Sequence, residues 1–137
     1  METYQYYDEL IKPSFAPPDW IFGPVWSVLY LIIAITFGYV FYQVIKKKIP
    51  KLVALPFILN LVFNFAFTYI QFGLKSNILS SIDIILVLVT LVWAMWSIYP
   101  YKKTITYWQI PYLLWVSFAT ILQLSITILN LKDYFYQ

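Results

Sequence analysis

The sequence predicts an all-α integral membrane protein, a four-helix transmembrane bundle, and two observations support that prediction. Hydrophobic residues make up 62% of the 137 residues and charged residues only 11%, whereas about a quarter of the residues of a soluble domain are charged. Four apolar stretches are each long enough to cross a bilayer, which takes about 20 residues at ~1.5 Å rise per residue. The breaks between these stretches are short, so neighbouring helices should run antiparallel.

The residue types that are missing limit the chemistry open to the chain. It contains no cysteine and no histidine, so disulfides, thiolate metal sites, Cys/His nucleophiles and His-ligated haem are excluded. We therefore expect no metal site, no required cofactor and no dedicated catalytic set. The nine basic residues are all lysines and fall between apolar runs, so nucleic acid is not an expected partner.

We predict one domain over residues 1–137, in which an outer segment at 1–19 precedes the four helices. They cover about residues 20–45, 52–73, 77–99 and 105–131. Pro24, Pro56 and Pro111 lie in the first turn or two of their helices, where a missing N–H costs little. Pro100 stands where the third helix should stop.

The lysines predict how the bundle lies in the membrane. Most of them occupy the loops after the first and third predicted helices, where no acid is found: Lys46, Lys47, Lys48, Lys51, Lys102 and Lys103. By the positive-inside rule these loops are cytoplasmic. We therefore expect a multi-pass protein of a prokaryotic cell membrane with both termini outside the cytoplasm.

A proline-rich segment and the helix after it contain a specific motif. An aromatic pair, Tyr6 and Tyr7, precedes LIKPSFAPP at residues 10–18, and residues 22–30 read FGPVWSVLY. This resembles the TspO/MBR family, the tryptophan-rich sensory protein and translocator protein family, whose pattern is an aromatic pair, L-x-K-P-x-aromatic-x-P-P and F-G-P-V-W-x-x-L-Y. Two further stretches, 59–69 and 110–120, are similar to that family's third and fifth helices.

The resemblance implies that the four spans correspond to helices two to five of a five-helix fold. The family's first helix has no counterpart here, so we expect either a start codon that has been placed late or a four-helix form. Tyr6 and Phe15 stand where the family commonly has tryptophan, and both keep an aromatic ring.

The second predicted helix has a polar stripe. Asn60, Asn64, Phe67 and Gln71 are spaced four, three and four residues apart, which places them on one helical face. Such amides either hydrogen-bond neighbouring helices in the membrane or form the polar wall of a ligand pocket, and the resemblance favours the pocket.

Large rings on two other helices predict a flat slot. Trp26 and Tyr30 are four residues apart, and Pro111, Trp115, Ala119 and Gln123 run at the same interval. An aromatic stripe alone more often indicates packing, but the resemblance implies that these positions line a pocket for porphyrins and synthetic aromatic ligands. The expected ligand-binding residues are Tyr7, Pro17, Pro18, Trp26, Tyr30, Asn64, Phe67, Thr68, Gln71, Trp115 and Ala119.

Two features remain open between a functional and a structural interpretation. The segment 12–18 contains three prolines, which stiffen it, so it is either a lid over the slot or an interfacial cap. Asp83 is the only carboxylate inside a predicted span. Ionisable residues in membranes indicate function by default, but Asp83 lies near a helix end, where water, headgroups or Lys75 could satisfy it.

Together with the resemblance, these patterns predict a membrane receptor or carrier, and the resemblance implies that its ligand is flat and hydrophobic: a tetrapyrrole such as protoporphyrin IX, or a sterol or lipid. Membrane lipid is a further expected partner, and the small residues Ala34 and Gly38, four apart on the first predicted helix, allow a homodimer. The alternative is light- and oxygen-dependent porphyrin degradation with Trp26 and Trp115 as electron donors. A proton-coupled multidrug exporter is a remote alternative, because the first predicted helix lacks the glutamate that such proteins need.

Overall fold

The fold was analysed in a computed structural model, which describes residues 12–70 and 77–130. After a 3-10 turn at Asp19–Ile21 its helices are α1 (Phe22–Ile45), α2 (Lys51–Thr68), α3 (Asn77–Ile98), α4 (Lys103–Trp108) and α5 (Ile110–Leu129). Helices α4 and α5 together make one apolar span, so the described chain has four helices long and apolar enough to cross a membrane. The predicted all-α four-helix fold is confirmed.

The turn after α1 fixes how the first two spans are joined. The Lys47 N–H donates to the Val44 carbonyl at 3.0 Å and the Lys48 N–H donates to the Gln43 carbonyl at 2.9 Å, the paired bonds of a Schellman motif. Lys47 has a φ of 61°, the left-handed conformation that this motif requires at that position. Pro50 then precedes α2 directly, so the connection is short.

One proline accounts for the main difference between the predicted and observed helices. Pro56 lies in the second turn of α2, which begins at Lys51, whereas Pro111 interrupts the last span. The last span begins at Lys103 and is interrupted at Gln109. Pro111 explains this interruption, because proline has no N–H to donate to the helical hydrogen bond and its ring crowds the carbonyl of the residue four positions earlier.

Helix α3 lies at the centre of the bundle. It packs closely along both α2 and α5, whereas the backbone of α1 approaches its neighbours at few points. Half of the most apolar 18 residues of α3 are buried, compared with 28% for α1. The main core is built on α3 residues that are almost fully buried, including Ile84, Val87, Leu91, Ala94 and Ile98.

The two ends of the bundle differ in chemistry. We call the end with the proline-rich segment 12–18 the loop end, and the opposite end with the six lysines of the two predicted cytoplasmic loops the lysine end. Exposed aromatic side chains such as Trp96, Tyr101 and Trp108 lie toward the lysine end, as in the aromatic belts of membrane proteins. Lys103 Nζ lies 5.5 Å from the centre of the Tyr99 ring.

Candidate functional site

A chain of buried hydrogen bonds crosses the middle of the bundle. The Tyr30 hydroxyl donates to Asn64 Oδ1 at 3.0 Å, and Asn64 Nδ2 donates to the Tyr112 hydroxyl at 2.7 Å. The Tyr112 hydroxyl donates in turn to Asn60 Oδ1 at 2.8 Å. Three helices, α1, α2 and α5, are therefore joined by side chains that form a continuous chain of donors.

The chain ends on α3. Asn60 Nδ2 donates to the Val87 carbonyl at 3.0 Å and to Thr90 Oγ1 at 3.2 Å, and Thr90 donates to the Leu86 carbonyl at 2.8 Å. Asn60 is fully buried, so its position depends on these bonds. Asn60 and Asn64 thus make the interhelical hydrogen bonds that the sequence left as one of two alternatives.

A row of aromatic rings links α1 to α2 at the same level. The Trp26 and Tyr30 ring centres are 5.4 Å apart, and those of Tyr30 and Phe65 are 6.1 Å apart. Both separations lie within the range of favourable aromatic contacts. Tyr30 therefore joins α1 to α2 through its ring as well as through its hydroxyl.

A second row of rings lies between α1 and α5. The Trp115 ring centre is 6.0 Å from that of Phe22 and 5.6 Å from that of Phe118. Trp26 and Trp115 both pack against the small buried cluster that contains Phe22. The two tryptophans predicted for the slot therefore share one cluster.

The predicted residues that remain fall into one layer, on the loop-end side of the hydrogen-bond chain. Trp26 lies one turn, about 6 Å, beyond Tyr30 in that direction, and Phe67 lies about 4.5 Å beyond Asn64. Ala119 lies in the same direction from Tyr112, and both Phe67 and Ala119 pack against the main core.

Thr68 is exposed, and Tyr7 and Gln71 lie outside the described residues.

An apolar groove opens between α1 and α5 and leads to Trp115. Its volume is about 530 Å³, and it is lined by Pro24, Val25, Val28, Leu29, Pro111, Leu114 and Trp115. Val28 and Leu114 are exposed, so the groove is open to the surface of the bundle. The Trp115 Nε1 atom is buried and has no hydrogen-bond partner within residues 12–70 and 77–130.

The proline-rich segment covers the loop end. The Ala16 N–H donates to the Pro13 carbonyl at 3.1 Å, and the Ile21 N–H donates to the Pro18 carbonyl at 3.2 Å. The Phe15 ring meets the Phe118 ring edge to face at 6.1 Å. The segment is therefore folded against α5, as both a lid and a cap require.

Several residues of the site were not singled out by sequence reasoning. Phe22 lies four residues before Trp26, and Tyr112 and Phe118 lie three residues to either side of Trp115. This helical spacing is the signal that could have found them.

Gln123 continues the stripe of Trp115 and Ala119 in sequence, but its Nε2 donates to Thr127 Oγ1 at 3.2 Å on the side that faces α3.

The spans and their lipid-facing surfaces define a multi-pass integral membrane protein built as a helical bundle. The chain belongs to the TspO/MBR family, whose model matches residues 1–129. This membership supports a receptor or sensory role in the membrane.

Named relatives agree with the family model. The chain is 34% identical to the tryptophan-rich protein TspO of Chlorobaculum tepidum over 125 residues, which cover 91% of this chain and 79% of the relative. It is 36% identical to the tryptophan-rich protein TspO of Bacillus cereus, covering 91% and 80%. It is 32% identical to the translocator protein of Homo sapiens, covering 88% and 72%.

Proposed function

We propose that the protein is a membrane receptor or carrier that binds a flat hydrophobic ligand, with a tetrapyrrole such as protoporphyrin IX as the best candidate. One observation carries this proposal: the groove of about 530 Å³ between α1 and α5, whose walls are apolar and end at Trp115. Ligand pockets of this kind usually measure roughly 300–1,000 Å³ and are mostly apolar.

The predicted residues have distinct roles in this proposal. The ligand ring lies along α1, with Trp115 on the groove side and Trp26 toward α2, where large aromatic faces favour stacking. The small side chain of Ala119 leaves room beside Trp115. The Tyr30 to Asn64 hydrogen bond forms the floor of the slot, and a polar group of the ligand would exchange with the Tyr30 hydroxyl at Asn64 Oδ1.

The ring reaches the slot by separating α1 from the rest of the bundle. α1 is the least buried of the four spans, so its separation disturbs the fewest contacts. The proline-rich segment, held by Phe15 against Phe118, then closes the loop end above the ligand. The human relative is named a translocator protein, and this chain would be a carrier of the same kind.

The experiment fills the groove from its exposed rim. Leu114 is 66% exposed and Val28 is 59% exposed, so Leu114→Trp and Val28→Trp place bulk in the groove with little cost to folding. Val89→Trp on α3, where Val89 is 55% exposed and outside the groove, is the matched control. Binding of protoporphyrin IX to purified protein is followed by the shift of the porphyrin absorption band.

We expect both groove variants to weaken porphyrin binding at least tenfold, about 1.4 kcal/mol, and the Val89 variant to bind as the parent does. Unchanged affinity in both groove variants would show that the ligand does not use this groove. Absence of porphyrin binding by the parent protein would refute the ligand class.

We further propose that the lysine end faces the cytoplasm. The six lysines at that end are exposed, and basic loops favour the cytoplasmic side. Because the chain has no cysteine, Lys48→Cys and Ser14→Cys each give a single thiol at opposite ends. A membrane-impermeant maleimide added to intact cells should label the Ser14 variant alone, and the reverse pattern would overturn this orientation.

A further inference from the structure

Asp83 is a buried carboxyl group that no part of the mechanism above uses. It lies in α3, its side chain is 5% exposed, and its Oδ2 atom is buried with no hydrogen-bond partner in the part of the chain that the structure describes. A buried oxygen without a partner is unfavourable in a protein interior and more so in a membrane. An acceptor of this kind indicates that something else supplies the donor.

The direction in which Asp83 faces follows from its place on α3. Asp83, Val87 and Thr90 are separated by four and three residues, so they share one helical face. Asn60 of α2 donates to the Val87 carbonyl and to Thr90 Oγ1. Asp83 is therefore on the face of α3 that meets α2.

The level of Asp83 follows from the same bonds. Asp83 lies one turn, about 6 Å, from Val87 toward the loop end. α2 runs antiparallel to α3, and Phe67 lies about 10 Å from Asn60 in the same direction. Asn64 lies about 6 Å from Asn60 in that direction, so Asp83 falls at the level of Asn64, between Asn60 and Phe67.

No described side chain donates a hydrogen bond to Asp83 Oδ2, and the Asn64 amide at the same level donates to Tyr112 instead. Phe67, Trp26 and Ala119 are mostly apolar, and the six lysines of the lysine end lie at the other end of the bundle. The neighbouring polar residue Ser81 is directed to α5, where its hydroxyl lies 2.6 Å from Thr127 Oγ1. The Asp83 oxygen is consequently an acceptor without a described partner, at the level of the Asn64 amide that forms the floor of the proposed slot.

We propose that Asp83 is the polar anchor of the slot and that it accepts a hydrogen bond from a hydroxyl or N–H group at the edge of the ligand. This inference rests on the proposed function and narrows its ligand class to flat hydrophobic molecules that carry such a donor, which in protoporphyrin IX would be the O–H group of a protonated propionic acid. Carboxyl oxygens accept hydrogen bonds in both protonation states, so the anchor does not depend on the charge of Asp83.

Two uncharged porphyrins test the anchor. The first is mesoporphyrin IX dimethyl ester, which has no donor at its edge, and the second is the diol in which both propionates are reduced to alcohols. The ring is the same in both. The measurement is the ratio of their affinities, and comparing this ratio between variants cancels any difference in how the two porphyrins partition into detergent or lipid.

The variants separate the oxygen from the bulk of the side chain. Asp83→Leu removes the acceptor, and Asp83→Asn keeps one amide oxygen. Ser81→Ala is the matched control, since Ser81 is buried on the same helix but faces α5. We expect the ratio of diol affinity to ester affinity to be about tenfold to a hundredfold higher in the parent than in Asp83→Leu, as for a hydrogen bond to a carboxyl group. The ratio for Asp83→Asn should lie between these two values, and the ratio for Ser81→Ala should equal that of the parent.

The outcomes distinguish the anchor from the slot itself. A diol-to-ester affinity ratio that is the same in the parent and in Asp83→Leu would overturn the anchor while leaving porphyrin binding intact, and Asp83→Asn repeats the comparison with a polar side chain of the same size should Asp83→Leu not fold. A diol preference that persists in both Asp83 variants would also overturn it, because the donor would then bind elsewhere. Binding of neither porphyrin by the parent would refute the proposed function and the anchor with it.

Discussion

The bundle has two regions that are held in different ways. Helices α2, α3 and α5 pack closely along their lengths and exchange buried hydrogen bonds, such as those of Asn60 with α3. Helix α1 is attached by separate side-chain contacts, with Tyr30 on Asn64 and Phe37 edge to face on Phe57 at 4.8 Å. In lipid the hydrophobic effect does not press helices together, so these contacts decide how firmly each helix is held.

This difference in how the two regions are held indicates where a ligand can be accommodated. A three-helix unit whose backbones pack closely and exchange buried hydrogen bonds resists separation, whereas a helix attached through its side chains alone can part from it at lower cost. The candidate slot follows the inner side of α1, along the boundary between the two regions. Three substitutions test this comparison.

Replacing Asn60 by leucine should cause the largest loss, about 2–3 kcal/mol of unfolding free energy. The change removes the acceptor of the Tyr112 hydroxyl and the donor to the Val87 carbonyl and Thr90 Oγ1 inside the three-helix unit. Denaturant unfolding in detergent micelles measures it. Ile58→Ala on the exposed side of α2 is the control and should change stability by less than about 0.5 kcal/mol; an Asn60 variant as stable as this control would mean that the amide bonds do not hold the unit together.

Replacing Tyr112 by phenylalanine should cost less, about 1–2 kcal/mol. This substitution deletes one hydroxyl and leaves Asn60 Oδ1 and Asn64 Nδ2 without the bonds they make to it. The same unfolding measurement reports the loss. A neutral effect would indicate that water or Tyr30 takes the place of the hydroxyl, and the three-helix unit would then be less tightly specified than its geometry implies.

Replacing Tyr30 by phenylalanine should have the smallest effect on stability, about 0.5 kcal/mol, although the chemical change is identical. Tyr30 is partly exposed and belongs to α1, and interhelical hydrogen bonds in membranes average roughly 0.6 kcal/mol. Its effect should appear instead in the distribution of distances between spin labels at Ile35→Cys on α1 and Val92→Cys on α3. This distribution should become broader. If Tyr30→Phe destabilises the protein as much as Tyr112→Phe, the contrast between the two regions fails.

The four spans could be predicted because their length and apolar character are local properties. The break at Gln109 was in principle readable as well, from the position of Pro111. The polar stripe of α2 indicated which face of that helix is buried, but the partners of Asn60 and Asn64 could not be derived, because the neighbouring helices are apolar on most of their surface. Thr90 and Tyr112 are 30 and 52 residues from Asn60 in sequence, and only the packing of three helices brings them together.

The site shows the same division. The resemblance supplied Trp26 and Trp115, and the structure packs both against the Phe22 cluster. It did not supply the partners of Tyr30, because a hydroxyl and an amide on different helices leave no mark on spacing. The unpartnered oxygen of Asp83 was equally out of reach, since the sequence placed the residue near a helix end but not its face.

The short turn at Lys47 allows α1 to tilt about its C-terminal end. The turn ties the C-terminal end of α1 to α2, so the lysine end is the pivot and the N-terminal end is free to swing farthest. A helix of 24 residues is about 36 Å long, and a tilt of about 10° would displace its far end by about 6 Å. An aromatic ring is roughly 3.5 Å thick, so a small rotation about Lys47 is enough to admit one at the loop end while the lysine end stays closed.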